Sequence, residues 1–179
     1  MSTQRSPEVI LVDEQDQAVG TLPKMAAHEQ GLLHRAISVY VLNAQGELLM
    51  QRRAASKYHS GGLWGNTCCS HPLPGEQVDD AALRRLGEEM GLTCTLSPLC
   101  ELAYHTPVSD GLVEHEYLHV FVGYSDTAPQ PDSSEVDDWR YESLDALSQA
   151  LTARPDAYVP WLAPVLPVVK HALAQRAGR

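Results

Sequence analysis

The segment that most constrains the fold lies between residues 78 and 91. Apolar residues occupy positions 78, 82, 86 and 90, and Gly91 follows them. Apolar residues at this spacing share one face of an α-helix, and a glycine just past the last turn is a common helix stop. The sequence therefore predicts an amphipathic helix over Val78–Met90, whose apolar face needs a surface to pack against.

Short apolar runs rich in β-branched residues predict the strands of that surface. Val9–Val12 is one such run, and turn residues follow it through Asp13–Gly20. Ile37–Leu42 and Glu47–Gln51 flank Asn43–Gly46, whose residue types favour a turn. These two runs therefore predict a β-hairpin.

The second half of the chain adds elements of both kinds. Val113–Tyr124 predicts a strand, whereas Leu144–Leu151 and Pro164–Ala174 predict helices. The proline-bearing stretches Thr127–Pro131 and Pro155–Pro160 predict loops that are too short to link two domains. Strands and helices in this irregular order indicate an α/β or α+β sandwich.

Length and charge exclude some classes of function. A chain of 179 residues predicts one domain with a sizeable core, and its net charge of −10 disfavours a nucleic-acid surface. The charge still permits a small anionic substrate, because a few local cations outweigh it. We expect no membrane segment, since no apolar run approaches the roughly 18 residues of a spanning helix. Residues 1–10 carry no secretory pattern, from which we expect a cytoplasmic protein.

The cysteines are expected to be reduced in that compartment. Their spacing lacks the paired CxxC of a zinc site, and the simplest interpretation treats all of them as small core residues. They are Cys68, Cys69, Cys94 and Cys100.

Residues 65–72 hold more chemistry than folding requires, and read Gly-Asn-Thr-Cys-Cys-Ser-His-Pro. If this segment is extended, side chains two apart share a face. Cys69 then points the same way as Thr67 and His71, and Cys68 points into the core. Cys69 is therefore the better candidate for a reactive thiol, and a loop with two packed cysteines is the alternative.

Alternation also governs the segment Glu114-His115-Glu116. In a strand both carboxylates lie on one face, about 7 Å apart along the chain. Two carboxylates on one face repel each other unless a cation lies between them or one keeps its proton. The segment is therefore a candidate metal site, and a solvated strand face is the alternative.

Two further groups of polar residues are weaker signals. His28 and His34 are six residues apart, a spacing that prevents them from stacking on one helix face, so only a loop could bring them together. The predicted helix pairs its arginines with Glu88 and Glu89 at i, i+4. Acidic residues near a helix C-terminus are disfavoured by the helix dipole, which hints at a cation there.

Residues 70–92 resemble the Nudix box, G-x5-E-x7-R-E-U-x-E-E-x-G-U, in which U is a bulky aliphatic residue. Glu76, Arg84 and the residues from 88 onward match it. Ser70 replaces the first glycine, and Arg85 replaces the glutamate that follows the arginine. Since that glutamate helps to bind metals in Nudix hydrolases, the resemblance implies weakened multi-metal binding here.

The chain as a whole resembles one Nudix family, the type I isopentenyl-diphosphate delta-isomerases. The resemblance rests on residues 66–72, on the later Glu-x-Glu, on two N-terminal histidines, on a C-terminal tryptophan, and on residues 33–39 and 51–57. It implies a mixed β-sheet between helices in a single domain, 1–179. The core is expected at about 9–161, and a C-terminal helical segment at about 162–179.

The resemblance also implies a set of site residues. One divalent ion, Mn²⁺ or Mg²⁺, is expected on His28, His34, His71, Glu114 and Glu116, a donor set that suits an octahedral metal better than zinc. Glu89, with the Cys69 carbonyl nearby, is expected to hold a second, diphosphate-bound Mg²⁺. No organic cofactor is implied. The cations expected at the diphosphate are Lys24, Arg53, Lys57 and Arg85.

The implied reaction is a 1,3-proton shift that interconverts isopentenyl and dimethylallyl diphosphate through a tertiary carbocation. It needs an acid on one face of the alkene and a base on the other, which fits Cys69 and Glu116, the latter assisted by Tyr104. Which of the two protonates stays open. Trp161 is expected to face the cation. The expected partner is a small allylic or homoallylic diphosphate, and the expected assembly is a monomer or weak homodimer.

Two other functions compete with this one. A Nudix hydrolase of a nucleoside or other diphosphate would need the acidic helix but would have no use for Cys69 or His71. A catalytically inactive Nudix-fold binding module is the other alternative, and it predicts that metal removal changes neither stability nor ligand affinity.

Overall fold

The computed structural model describes residues 7–178. Residues 1 and 179, the predicted limits of the domain, lie outside this range. So does most of the N-terminal segment from which we expect a cytoplasmic protein. Within the described range the strands are β1 Glu8–Val12, β2 Ala18–Pro23, β3 His34–Leu42, β4 Glu47–Arg53, β5 Trp64–Gly65, β6 Cys68–Ser70, β7 Leu96–Pro107, β8 Val113–Tyr124 and β9 Val136–Ser143. The α-helices are α1 Lys24–Gln30, α2 Val78–Met90, α3 Leu144–Ala153 and α4 Leu162–Ala177.

Strand β3 is the centre of the molecule because it is buried on both faces. It pairs with β1, β4 and β6 antiparallel and with β8 parallel, so the sheet is mixed. Its side chains alternate between two apolar cores. Ile37, Val39 and Val41 enter one core, whereas Ala36, Tyr40 and Leu42 enter the other.

Helices cover both faces of this sheet. Helix α2 packs Leu86 and Met90 into the first core. Helices α3 and α4 cover the second core with Leu147, Leu162 and Leu166. The predicted sandwich of a mixed sheet between helices is therefore confirmed.

Several predicted elements match the structure closely. Helix α2 and strand β8 have the predicted bounds, and the predicted hairpin is present because Leu42 of β3 pairs antiparallel with Leu48 of β4. The helices predicted at 144–151 and 164–174 each extend further, as α3 and α4. The stretch 127–131 has no helix or strand, as expected for a loop.

Other elements correct the sequence predictions. The turn predicted over residues 13–20 is shorter, because β2 already begins at Ala18. The loop predicted over 155–160 contains a short 3₁₀ turn, Pro155–Ala157. The sequence also gave no signal for α1, β5, β7 or β9. Strand β7 carries prolines at both 98 and 107 and exposes many of its residues, so no alternating apolar pattern marks it.

The strand register determines where polar side chains meet. His34 at the start of β3 lies beside Glu116 of β8, and Ser38 lies opposite Cys69 of β6. All four side chains lie on the face of the sheet to which Tyr40 of β3 also points. Among residues 7–178, no helix has the length and apolar character needed to cross a bilayer.

Candidate active site

Five side chains converge at one edge of this face and form what we call the histidine cluster. One possible ligand atom from each lies within 4.8 Å of the others, and four of the five residues are buried. The cluster is His28, His34, His71, Glu114 and Glu116. Three imidazoles and two carboxylates form a donor set suited to a divalent ion. The five predicted metal ligands therefore meet in space.

A tight chain reversal joins the two N-terminal histidines. Helix α1 ends at Gly31, whose left-handed conformation at φ 62° lets the chain turn into β3. His28 on the helix and His34 on the strand then face each other, with ring centroids 4.8 Å apart. This confirms the expectation that a spacing of six residues converges only through a loop.

Backbone carbonyls determine which imidazole nitrogens carry protons. Nδ1 of His28 lies 2.7 Å from the Lys24 carbonyl, and Nδ1 of His34 lies 2.8 Å from the Leu32 carbonyl. Since a carbonyl only accepts, each Nδ1 donates, and in the neutral ring each Nε2 is an unprotonated acceptor. Such second-sphere contacts are typical of metal-ligating histidines.

The bare nitrogens therefore point at other acceptors. Nε2 of His28 lies 3.0 Å from Glu114 Oε2, and Nε2 of His34 lies 3.6 Å from Glu116 Oε1. His71 Nε2 lies 2.9 Å from the same Glu116 oxygen and 3.2 Å from His34 Nε2, so a proton on this nitrogen can be donated to either neighbour. Lone pairs that face one another repel unless a proton or a metal ion lies between them. The chemistry of this donor set fits a divalent cation.

The two carboxylates of the cluster have low pKa values despite their burial. Burial and, for Glu114, the neighbouring Glu116 raise the pKa, but the imidazoles of His28 and His59 beside it bring the pKa of Glu114 below its ordinary value. For Glu116, burial is opposed by His34 and by Tyr104, and its pKa is also lowered. Both groups are therefore ionised at neutral pH.

A cleft opens beside the histidine cluster and is lined largely by predicted site residues. Besides three members of the cluster, these are Lys24, Arg53, Lys57, Cys69, Arg85, Glu89, Tyr104 and Trp161. Burial and the neighbouring cations at Lys57 and Arg53 lower the pKa of Lys24 to about 8. The cleft thus concentrates positive charge on an otherwise acidic protein.

The polar face of α2 and the turn before it form a second acidic group, which we call the helix cluster: Glu76, Arg84, Arg85, Glu88 and Glu89. Here each carboxylate has an arginine partner. Arg84 donates to Glu76 at 2.7 and 2.8 Å, and Arg85 donates to Glu88 and to Glu89 at 2.6 Å. Both predicted i, i+4 pairs are present. Glu89 also accepts from Gln51 at 2.9 Å and reaches the cleft.

The adjacent cysteines have different environments. Cys68 is fully buried in the core beneath α2, and Cys69 lines the cleft. Burial raises the pKa of the Cys69 thiol to about 12. The predicted division between a core and a cleft cysteine is confirmed. Thr67 was wrongly grouped with Cys69, because its hydroxyl bridges Val41 N and Leu49 O between strands.

Tyr104 and Trp161 lie on the walls of the cleft. The Tyr104 hydroxyl donates to Glu116 Oε2 at 2.6 Å, and burial together with this carboxylate raises the pKa of Tyr104 well above its usual value. Trp161 is buried in the core under α4, with the Arg53 guanidinium 5.4 Å from its ring centroid. The indole therefore already has a cation at its ring.

Comparisons with known proteins identify the family. The NUDIX domain model matches residues 32–163. The isopentenyl-diphosphate Delta-isomerase of Pectobacterium atrosepticum is 50% identical over 86% of this chain and 86% of its own length. Isopentenyl-diphosphate Delta-isomerase 2 of Aromatoleum aromaticum is 52% identical over 89% of this chain and 84% of its own. The chain belongs to the isopentenyl-diphosphate Delta-isomerase family.

Solved structures support the same fold at greater distance. A Deinococcus radiodurans structure superposes with a TM-score of 0.77 at 20% identity, covering 90% of this isomerase-family chain and 98% of that one. A MutT protein of Methanosarcina mazei gives 0.63 at 16% identity, covering 78% and 94%. At these identities the likeness concerns the fold alone, which is the Nudix fold.

Sequence reasoning missed His59, which lies inside the site of this isomerase-family chain. Its ring is buried and contacts Trp161 edge-on at 5.6 Å. Its Nε2 lies 3.0 Å from Glu114 Oε1, at an angle too poor for a hydrogen bond. Tyr58 was missed as well and stacks under the Lys24 ammonium at 4.8 Å. The sequence feature that could have indicated them is that they directly follow Lys57, a residue of the predicted cation set.

Proposed function

We propose that this chain interconverts isopentenyl diphosphate and dimethylallyl diphosphate by protonation and deprotonation. The observation that carries the proposal is that Cys69 and the Glu116–Tyr104 pair line one cleft. A 1,3-proton shift needs proton-exchanging groups on two sides of the alkene. The names of the curated relatives support the same reaction.

The two proton-exchanging groups rest in opposite states. Burial keeps the Cys69 thiol protonated at neutral pH, since its pKa is about 12. Glu116 is ionised, because His34 and Tyr104 stabilise its charge against burial. One group is therefore ready to donate a proton and the other to accept one. The direction of the reaction decides which of the two acts first.

The histidine cluster would hold Mn²⁺ or Mg²⁺. A bound divalent ion supplies positive charge that keeps Glu116 ionised and fixes its orientation. The chain's own residues do the remaining work at this position. Tyr104 donates to the other carboxylate oxygen, and its hydroxyl offers Glu116 a hydrogen-bonded proton.

The cations of the cleft would bind the diphosphate. Lys24, Arg53 and Lys57 line it together, and Lys57 is already held by Glu135 at 2.6 Å. Arg85 lies beside Glu89, which would share a second Mg²⁺ with the phosphates, with the Cys69 carbonyl nearby. Several cations gathered in one cleft of an acidic protein would give the site its preference for an anion.

The apolar end of the substrate would lie against Trp161. An aromatic face stabilises a nearby cation by about 1–2 kcal/mol when water is excluded. The indole is 6% exposed, and α4 packs behind it. Trp161 would thus stabilise the tertiary carbocation while the surrounding core excludes water.

A Nudix hydrolase is less well supported. Its metals would need free carboxylates on α2, whereas Glu88 and Glu89 are each paired with an arginine, as is Glu76 just before the helix. Cytoplasmic location, the metal in the histidine cluster, the lack of an organic cofactor and a monomeric or weakly dimeric state remain predictions.

The deciding experiment follows isopentenyl diphosphate in D₂O by NMR, with Mg²⁺ and Mn²⁺ and then with chelator. We expect deuterated dimethylallyl diphosphate, and we expect its formation to stop on chelation. Cys69→Ala should abolish turnover, and Cys68→Ala should retain most of it. Release of phosphate without isomer would favour the hydrolase, and intact substrate would favour a binding module. Equal losses in the two variants would contradict the role of Cys69.

A further inference from the structure

We propose that Ser38 and Asn66 are positioning residues of the Cys69 thiol. The three side chains form a closed ring of hydrogen bonds that holds Sγ at the wall of the cleft. The effect on turnover rests on the proposed function, whereas the ring itself can be tested without it.

Register brings the three residues together. Ser38 on β3 lies directly opposite Cys69 on β6, and Asn66 precedes β6 by two residues. Ser38 is 1% exposed and Asn66 is 3% exposed, so water does not compete for their polar atoms. Sγ lies 3.1 Å from Asn66 Oδ1 and 3.2 Å from Ser38 Oγ, and Asn66 Nδ2 lies 2.9 Å from Ser38 Oγ.

Backbone contacts fix the orientation of the Asn66 amide in the ring. Asn66 Nδ2 also donates to the carbonyls of Val39 at 3.0 Å and Cys68 at 3.3 Å. The amide nitrogen is thereby identified, and Oδ1 must be the atom that faces Sγ. Oδ1 only accepts, so the thiol donates its proton to Asn66.

The serine closes the ring. Ser38 Oγ accepts from Asn66 Nδ2, which leaves its own hydrogen free to be donated to Sγ. Each of the three groups therefore donates once and accepts once within the ring. Hydrogen bonds in such a closed arrangement polarise and strengthen one another.

This ring restricts the thiol in two ways. It fixes the side-chain rotamer of Cys69, and it directs the S–H bond along β6 to Asn66. Reacting groups need alignment to within a fraction of an ångström, and a displacement of about 1 Å costs on the order of 100-fold in rate. Ser38 and Asn66 would therefore affect turnover without touching the substrate.

Ser38→Ala tests the proposal at little risk to folding. Asn66 Nδ2 keeps its two carbonyl acceptors, so no buried donor is left without a partner. We expect kcat to fall about 10- to 100-fold while KM and Mn²⁺ affinity stay unchanged. Ser38→Cys keeps a weaker donor of similar volume, so its kcat should lie between those of wild type and Ser38→Ala. If the alanine variant does not fold, the kcat of Ser38→Cys tests the proposal.

Thr67→Ala is the matched control. It also removes a buried hydroxyl beside β3, but that hydroxyl binds only the backbone of Val41 and Leu49. We expect lower stability with kcat within about two-fold of wild type. Equal loss of kcat in Ser38→Ala and Thr67→Ala would show that Ser38 matters only for folding, and unchanged kcat in Ser38→Ala would overturn the proposal.

Infrared spectroscopy reads the ring independently of activity. Subtraction of the Cys69→Ala spectrum isolates the S–H stretching band of Cys69. We expect a band at the low frequency of a hydrogen-bonded thiol, shifted upward in Ser38→Ala and unmoved in Thr67→Ala. If wild type does not isomerise the substrate, the proposed function fails while this measurement still decides the ring. A band at the free-thiol frequency in wild type would refute the hydrogen-bonded ring.

Discussion

The histidine cluster and the helix cluster both gather carboxylates, but they neutralise them differently. In the helix cluster, Arg84 and Arg85 supply permanent positive charge to Glu76, Glu88 and Glu89. In the histidine cluster, the two carboxylates face the Nε2 atoms of His28 and His34, which in the neutral rings are themselves acceptors. The chain's own arginines neutralise one cluster, whereas the other is a donor set suited to a divalent cation.

The difference explains the departures from the Nudix box. An arginine at position 85 neutralises Glu89 and Glu88, which would otherwise repel each other near the helix C-terminus. The proposed metal binding would thereby be reduced on α2 and concentrated at the histidines. Of the box carboxylates, Glu89 alone also lines the cleft.

The largest expected effect separates the two clusters directly. Glu114→Gln should lower Mn²⁺ affinity by more than the roughly 10- to 100-fold that outer-sphere changes cost, since it removes a ligand oxygen. The metal-free variant should stay folded, because an amide can donate to the bare His28 nitrogen. Mn²⁺ titration by EPR measures the affinity.

The control for this variant is Glu88→Gln in the helix cluster. Glu88 is a half-exposed carboxylate, and its removal should change stability by less than about 1 kcal/mol and Mn²⁺ affinity by less than about three-fold. Mn²⁺ at about 100 times its Kd should stabilise wild type by roughly 2.7 kcal/mol, or about 5–10 °C in Tm. Glu88→Gln should keep this increment. If Glu88→Gln lost the Mn²⁺-dependent stabilisation, the metal would bind at the helix cluster and not at the histidine cluster.

A smaller effect is expected at His59, which touches the histidine cluster from outside. His59→Phe keeps the ring against Trp161 but removes the polar atom beside Glu114, so Mn²⁺ affinity should fall about 10-fold. His59→Gln retains a polar group and should lose less. Equal affinity in wild type and His59→Phe would limit His59 to packing.

The smallest expected effect is the pH dependence of kcat/KM that arises from Lys24 in the cleft. Burial and neighbouring cations lower the pKa of Lys24 to about 8, so its ammonium loses its proton as pH rises through that value. We expect kcat/KM for isopentenyl diphosphate to decline above pH 8, because the neutral amine no longer attracts the diphosphate. Lys24→Arg stays charged at these pH values and should abolish the decline. A decline of equal size in Lys24→Arg would assign it to another group.

Local pattern predicted the elements that contact the core on one regular face. The i, i+4 stripe led to the bounds of α2, because Ala82, Leu86 and Met90 of that stripe are buried. Strand β8 was predicted with its bounds as a strand that contains charge. Strands β7 and β9 lack this pattern, since β7 is interrupted by proline and β9 exposes Asp137 and Asp138. Their positions follow from pairing with β8 and β4, which is a property of the sheet.

The candidate site divides in the same way. The alternation of residues 114–116 and of Cys68 and Cys69 indicated which side chains share a face, and resemblance to the isomerase family supplied the roles of Tyr104 and Trp161. Neither source indicated His59 or the ring of Ser38, Asn66 and Cys69. Their contacts join residues far apart in the chain.

The sequence by itself determined the residue types, the periodicities and the family, since these are local or comparative properties. The tertiary structure alone decided that His34 meets Glu116 and that Ser38 lies opposite Cys69. Those meetings depend on strand register, which a shift of one residue would reverse. Burial then decided their chemistry, because removing water raises the pKa of Cys69 and makes the facing lone pairs a candidate binding site for a divalent cation.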